Sequence, residues 1–428
     1  MGSREVLSID RPPYSCFMIR NLILLLIFNM TIDTTAQTLA TLEVEMPVAS
    51  HGISVPVRTD LDQITFLPDA ALVLHEIKAG KKVPVAFQID QGDQRWLYWT
   101  ISPDPGQSKK RVFVLEKGTG SKINELDIAN DNQALTIRAG DRNLLRYNFG
   151  TVYPPEGVDP AYKRSGFIHP LWSPNGQALT RIQPPDHYHH YGIWNPWTHV
   201  LYKGDTVDFW NLAGKKGTVR FADFGSVTSG AVFSSFEALH EHVVLKKNGS
   251  EEVALNEIQT VRVYQPAQDY YIVDLTFRMN TATSEPVKLL EYRYGGLGWR
   301  ATAEWNKDNS EVLTSDGKPR KEADGSKARW CIVQGAVGGD YAGVVMMSFP
   351  SNYNHPEPLR IWPENQYNRG DMFASFSPTK DKDWLLEPRK NHVLRYRLLV
   401  FNGHLSKEKA ESAWQYFATP PRVTVTKN

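Results

Sequence analysis

The sequence predicts an all-β chain: a large two-sheet sandwich preceded by a small β-sandwich module and closed by one C-terminal helix. Three observations lead there. Short apolar runs alternate with period two, turn dipeptides separate them, and no repeat of about 20–50 residues marks a propeller or solenoid. The runs Arg111–Lys117 (RVFVLEK), Thr260–Pro266 (TVRVYQP), Tyr271–Met279 (YIVDLTFRM) and Val393–Phe401 (VLRYRLLVF) are rich in β-branched and aromatic residues. Such side chains fit a pleated, half-buried surface. Between runs stand Asn175-Gly176, Asn248-Gly249, Asp316-Gly317, Asp324-Gly325 and Asn402-Gly403, the residue types that accept the positive φ of hairpin turns.

From the N-terminus, Arg20 precedes the apolar run Leu22–Phe28, and a polar stretch ends at Thr34-Thr35-Ala36-Gln37. Charged, apolar and small-residue regions in that order read as a secretory signal peptide over residues 1–37, cleaved near Ala36 or Gln37. The preceding Arg11–Cys16 has no place in such a signal, so Met18 is the expected start. The apolar run is too short to span a bilayer. The mature chain is therefore expected to be soluble and periplasmic or secreted. The chain has two cysteines, Cys16 and Cys331; the first leaves with the leader, and no intramolecular disulfide remains.

Residues 41–118 read as the N-terminal module, followed by the Gly/Ser/Lys connector Lys117–Lys122. Residues 123–425 are too long for an immunoglobulin-like sandwich and read as one large two-sheet domain. Within it Lys307–Lys327 (KDNSEVLTSDGKPRKEADGSK) is expected to be a charged hairpin or insertion facing water. The one helical pattern runs from Ser406, the N-cap, to Phe417, with Ala410, Trp414 and Phe417 on its apolar stripe.

A net charge of +1 over 428 residues creates no field to attract nucleic acid or anionic lipid. The 12 Trp, 18 Tyr and 18 Phe suit carbohydrate stacking or a well-filled β core.

Chemistry concentrates in Asp186–Trp194 (DHYHHYGIW). Five of the 12 histidines, His169, His187, His189, His190 and His199, and four of the 12 tryptophans, Trp172, Trp194, Trp197 and Trp210, share that neighbourhood. Imidazole titrates near neutrality and serves proton transfer or metal ligation. In an extended strand His187 and His189 would face one way and Asp186, Tyr188 and His190 the other, so only two imidazoles would meet one ion. Pro184-Pro185 favours a bent loop instead. The spacing matches no zinc signature such as H-E-x-x-H. A transition metal at His187, His189 and His190 is thus the alternative, and no metal or cofactor the first expectation.

As proton chemistry, His189 and His190 are the transfer residues, supported by His187, His169, Asp186 and Glu291, with Trp194 as a stacking platform. Tyr191, Arg181, Asp208, Trp210 and Arg300 are the expected substrate-binding residues, the arginines suited to a uronate or sulfate group. Structural roles compete with these: Glu291 can pair with Arg293, and Asp208 can cap a turn. The glycines of Gly295–Arg300 (GGLGWR) read as positions of close backbone approach. There is no G-x-S-x-G motif, and Cys331 sits in a buried-strand pattern.

Phe167–Gly176 (FIHPLWSPNG), Pro184–Trp194 (PPDHYHHYGIW), Val207–Trp210 (VDFW), Tyr294–Arg300 (YGGLGWR) and Leu394–Val400 (LRYRLLV) resemble the PmoA-like family (DUF6807), over about residues 130–405. The N-terminal module is not covered. The label implies a methane oxygenase subunit, but a membrane subunit needs several spans of about 20 apolar residues, and the mature sequence offers none. The strand pattern is similar to the galactose-mutarotase-like supersandwich, which hosts epimerases, lyases and glycosidases. The resemblance therefore implies an exported carbohydrate-active enzyme with a carbohydrate substrate, no nucleic acid and no transmembrane partner. A non-catalytic glycan-binding protein and a metal-dependent oxidoreductase or hydrolase are the alternatives.

Overall fold

Strand follows strand from Thr38 to Lys427 in the computed structural model, which describes residues 37–103, 106, 108–120 and 126–428. The predicted leader apart from Gln37, and the Ser121-Lys122 end of the connector, lie outside the described residues. The chain is all-β, as predicted, and built around a large sandwich.

One face of that sandwich is an eight-stranded antiparallel sheet. Its order is Gly217–Thr228, Phe233–Leu245, Glu251–Tyr264, Tyr270–Thr281, His392–Asn402, Asp340–Ser348, Trp330–Val337 and Ser310–Thr314. The other is a nine-stranded sheet whose middle strands are Phe373–Phe376, Gly298–Arg300, Ile193–Trp194, Phe167–Leu171 and Arg142–Asn148. Their inner faces share one core, in which Leu145, Tyr147 and Ile168 meet Phe236, Val261, Val273, Phe277 and Leu398. Each such aliphatic or Phe side chain contributes about 1.5–3 kcal/mol on burial. Local chemistry shapes the hairpins: between Phe233–Leu245 and Glu251–Tyr264, Asn248 Oδ1 accepts the Ser250 N–H at 3.0 Å and Gly249 takes φ +81°.

The eight-stranded sheet is covered on its outer face too. Trp330, Ile332, Val345, Met347, Leu399 and Phe401 pack there with Ala410, Ala413 and Phe417 of the helix Lys407–Ala418, and with Ile53 and Tyr98 of the first module. Burial on both faces explains the unbroken apolar end of VLRYRLLVF. The helix begins where the sequence places it, with Ser406 Oγ accepting the Lys409 N–H.

The first module pairs a five-stranded sheet with a three-stranded one around Leu42, Val44, Val57, Leu74, Leu97, Trp99 and Phe113. One of its strands comes from the far end of the chain. Val423–Lys427 pairs antiparallel with Thr38–Glu45, Ala40 opposite Lys427, a partner absent from the sequence reading.

The charged segment Lys307–Lys327 is not a solvated insertion. Ser310–Thr314 is a strand of the large sheet, with Val312 opposite Val333, and Val312 and Thr314 are buried. Arg320 is buried as well, and donates to the carbonyls of Trp362, Gly370 and Asp371 at 2.7–2.9 Å. Three carbonyl acceptors make burial of its guanidinium tolerable, and the surrounding charges mask the period-two pattern. Cys331 is buried in its strand, which pushes its thiol up to about 12. Among the described residues no helix is long and apolar enough to cross a membrane.

Glu357 ties the two sheets together from a fully buried position. It accepts from Ser348 Oγ at 2.6 Å, Asn352 Nδ2 at 2.8 Å and Tyr396 OH at 2.9 Å. Burial raises its carboxyl to about 7, against the opposing pull of those hydrogen bonds. A folded pKa above the unfolded value means that the folded chain holds the proton more tightly, so this stabilisation is complete below about 4.5 and lost as pH rises through about 7. Glu357→Gln should remove that dependence. Melting temperatures measured from pH 4.5 to 8 should show the variant gaining on the wild type as pH rises, by a few kcal/mol at most; parallel profiles would refute the assignment.

Candidate active site

The histidine loop is bent by two linked turns. The His187 N–H donates to the Pro184 carbonyl at 2.8 Å, the His190 N–H to the His187 carbonyl at 3.0 Å, and the Gln183 N–H to the His190 carbonyl at 2.8 Å. Gly192 returns the chain to the sheet with φ +58°, where an added Cβ would lie 2.1 Å from the Ile168 carbonyl oxygen. Only glycine meets both demands. Ile193 then pairs with Ile168 on one side and Trp299 on the other.

Bending brings together the three imidazoles that an extended strand would separate. The rings of His187 and His190 stack at 4.5 Å, His189 lies 5.2 Å from His187 and 4.8 Å from His190, and one nitrogen of each falls within 4.8 Å of the others. They line a cavity of about 250 Å³. Trp210, Tyr294, Trp362, Tyr367 and Phe373 form its walls, and Asn211, Arg293, Arg360 and Gln366 supply polar groups. A larger cleft of about 620 Å³, lined by Pro84, Thr100, Pro266 and Tyr270 among others, contains no histidine.

Burial, then the neighbouring imidazoles and Arg300, hold His190 well below its ordinary pKa. Burial, then His187, lowers His189 to about 4. Both rings are uncharged at neutral pH. His187 Nδ1 meets Asp186 Oδ2 at 2.9 Å, and its Nε2 meets the Tyr367 hydroxyl at 3.2 Å. Burial alone would raise Asp186, but hydrogen bonds with His187 and Arg300 outweigh it and hold the carboxyl well below the usual range.

Arg300 organises this arrangement from beneath. It is fully buried, 2.7 Å from Asp186 Oδ2 and 3.0 Å from Asp371 Oδ2, with its guanidinium over the Trp362 ring at 4.4 Å. Burial lowers its pKa to about 10. Arg181 also reaches Asp371 Oδ2, at 2.7 Å.

Of the residues singled out in sequence, His187, His189, His190 and Trp210 line the cavity, and Asp186 stands directly behind. Others have different places. Arg181 and Arg300 do not line the cavity: Arg181 pairs with the buried Asp371, and Arg300 with Asp371 and the more exposed Asp186. Trp194 is 1% exposed beneath His190, at 5.2 Å, so it offers no face on which to stack a sugar. Its two-residue strand lies between Phe167–Leu171 and Gly298–Arg300, and Trp210 and Phe373 pack on its ring at 5.0 and 6.1 Å. Tyr191 is buried, its hydroxyl bonded to the Tyr162 carbonyl and to Gln183. Asp208 caps a turn, accepting the N–H groups of Trp210 and Asn211 at 2.8 Å each, and so positions two wall residues.

His169 lies outside the cavity lining, bonded through Nδ1 to Thr180 Oγ1 at 2.9 Å, and burial lowers it to about 4. Glu291 is exposed and also outside; its N–H donates to Asp383, and it forms no ion pair with Arg293. Sequence reasoning missed Asp371, Trp362, Tyr367 and Phe373. The available signal was the aromatic and turn-forming run Trp362-Pro363-Glu364-Asn365-Gln366-Tyr367-Asn368, in which Tyr367 takes φ +50°.

Replacing Arg300 by Met keeps apolar bulk and removes one partner each from the buried Asp371, which retains Arg181 and Arg369, and from the more exposed Asp186, which retains His187. Losing a hydrogen bond to a charged group costs about 1.5–3 kcal/mol, so urea unfolding of Arg300→Met should show a loss of that order. Adding Asp186→Asn should recover part of it. A loss below about 1 kcal/mol would contradict this role for Arg300.

No curated protein matches the chain. Among solved structures, it is similar to a glycosyl hydrolase family 38 protein from Enterococcus faecalis, with TM-score 0.41, 9% identity, and coverage of 92% of this chain and 49% of that one. An α-mannosidase from Enterococcus faecalis V583 gives TM-score 0.41, 8% identity, and coverage of 91% and 47%. The chain thus spans about half the length of either. A family model matches residues 134–415, from the outer strands of the nine-stranded sheet into the closing helix. The chain belongs to that family, DUF6807, described as a family of unknown function.

Proposed function

We propose that the histidine cavity is the reaction site of a carbohydrate-active enzyme. The observation that carries this reading is the meeting of three imidazoles with aromatic walls in one cavity of about 250 Å³. Pockets for drug-sized ligands run to about 300–1,000 Å³, so this one suits a single sugar ring rather than a chain of them. Aromatic faces take the apolar side of a sugar, while Asn211 and Gln366 offer partners for hydroxyls.

The reaction favoured is removal of a carbon-bound proton, followed by elimination or by return of the proton to the opposite face: a lyase or epimerase. Among the described residues no Asp or Glu lines the cavity, whereas glycosidic hydrolysis uses a carboxyl pair about 5–10 Å apart. Uncharged imidazoles accept protons, and the Tyr367 hydroxyl stands at His187. Arg293 makes no ion pair among the described residues and lies over the Tyr292 and Tyr294 rings. A sugar bearing a carboxylate would complete it, and the ion pair with Arg293 would offset the negative charge that otherwise opposes loss of the neighbouring carbon-bound proton.

The purified protein, offered panels of neutral and acidic sugars and oligosaccharides, should form ultraviolet-absorbing elimination products or an epimer of unchanged mass. His189→Ala should lower kcat/KM by on the order of 10²–10⁴ with the fold intact, and Arg293→Ala should act mainly on KM. Products heavier by one water would overturn the lyase or epimerase assignment. Binding without turnover would overturn the enzyme reading.

A further inference from the structure

We infer that His187, His189 and His190 jointly hold one divalent first-row transition metal ion, of the zinc type, at the floor of the cavity. The inference rests on reading that cavity as the reaction site, and gives the imidazoles a joint role in place of separate proton transfers.

Geometry comes first. Ligand nitrogens about 2.0–2.1 Å from a tetrahedral ion lie about 3.4 Å apart, and those of the three histidines already fall within 4.8 Å of one another. Small side-chain rotations close the difference, since among the described residues no hydrogen bond restrains the rings of His189 and His190. His190 Nδ1 is buried without a hydrogen-bond partner. A buried polar atom left unpaired is costly, and a metal–nitrogen bond would draw on the lone pair that this imidazole leaves unused. His189, half-buried, has ring contacts with His187, His190 and Tyr162 but no side-chain hydrogen bond.

The third ring is held differently. Asp186 fixes His187 through Nδ1 at 2.9 Å, the carboxylate–imidazole pairing that orients metal-binding histidines and raises their basicity, and leaves Nε2 as the ligand atom, which the exposed Tyr367 hydroxyl at 3.2 Å would yield to the ion. Arg300 anchors that carboxylate in turn. Of the nearby cations, Arg181 and Arg300 are paired with Asp186 and Asp371, and Arg369, which also meets Asp371 at 2.9 Å, is half-exposed to water that screens its charge. Three protein ligands leave a coordination position open, as catalytic zinc sites do, and here it would face the ring-sized cavity. An ion placed there suits a ligand with a carboxylate or paired hydroxyl oxygens.

The test uses the purified chain stripped with a chelator, titrated with zinc chloride by calorimetry and with cobalt chloride by visible absorption. One equivalent of zinc should bind, and cobalt should give the intense ligand-field bands of a four- or five-coordinate site. Asp186→Asn should weaken zinc about 10–100-fold. His189→Ala and His190→Gln should each weaken it by at least about as much; where His190→Gln loses its fold by circular dichroism, the half-buried His189→Ala decides. Absence of stoichiometric binding to the wild type, or wild-type affinity in His189→Ala, overturns the inference. Metal bound at these residues without turnover of any sugar leaves the centre standing and removes the proposed enzyme. Sugar turnover by a protein that takes up no stoichiometric metal does the reverse.

Discussion

The candidate site depends on a guanidinium with no access to water. Arg300 emerges from the central strand Gly298–Arg300 of the nine-stranded sheet and meets two carboxylates, Asp186 and Asp371, that belong to separate loops. A charge in that position is stable only when paired and hydrogen-bonded. The same pairing fixes where the loops sit. Asp186 carries the start of the histidine turn, and Asp371 follows the loop bearing Tyr367, so one cation draws the floor and the mouth of the cavity onto the sheet. Trp362 lies against the guanidinium on one side and 5.0 Å from His187 on the other. The imidazoles are thus placed by a salt-bridge network instead of by a helix or strand of their own.

The sandwich makes this network affordable. The nine-stranded sheet reaches the site through a two-residue strand, Ile193–Trp194, and a three-residue one, Gly298–Arg300, too short to be stable alone. Their neighbours and the shared core beneath hold them. On the opposite sheet, long strands such as Glu251–Tyr264 and His392–Asn402 are packed on both faces, one by the core and one by the helix and first module. Rigidity is therefore concentrated in one sheet, and irregular, loop-bearing backbone in the other. Polar bridges join the two: Tyr147 meets His240, and His240 meets Glu257, which also accepts from Asn195 next to Trp194.

Much of the fold was legible because it is written in local patterns. The period-two runs TVRVY, up to Tyr264, and YIVDLTFRM lie within strands that pair along their length, and Ser406 caps the helix as its hydroxyl and position require. The strand Ser310–Thr314 was hidden because its flanking charges are solvated or paired while its inward residues number only a few. The pairing of Val423–Lys427 with Thr38–Glu45 spans nearly the whole chain, and no local signal specifies a partner so distant. For the site, the bend favoured by Pro184-Pro185 was readable, but the convergence of all three histidines was not, because it is set by the two linked turns that carry His187 and His190. Asp371 was not, because its importance comes from Arg300, which is 71 residues away in sequence. Arg181 and Arg300 carry cations of the right kind for a substrate, and only the placement of carboxylates behind them reveals that their charge is already matched.

That matching bears on what the cavity can recognise. With Asp186 and Asp371 paired to Arg181, Arg300 and the half-exposed Arg369, the free electrostatic character of the cavity comes from what remains in its lining. Asp324 offsets Arg360 at 2.7 Å, which leaves Arg293 at the rim and uncharged imidazoles at the floor. A neutral sugar would meet aromatic faces and amides but leave the rim cation exposed to solvent, where a charge loses little. A ligand with a carboxylate would reach that cation at one end and electron-rich nitrogen, or a metal held by it, at the other. The two ends call for opposite partners, and one acidic sugar ring offers both, its carboxylate to Arg293 and its hydroxyl donors to the imidazole nitrogens. A cation held by the three histidines would receive hydroxyl or carboxylate oxygens there instead, so the acid–base and metal readings differ in which atoms of the ring face the floor of the cavity.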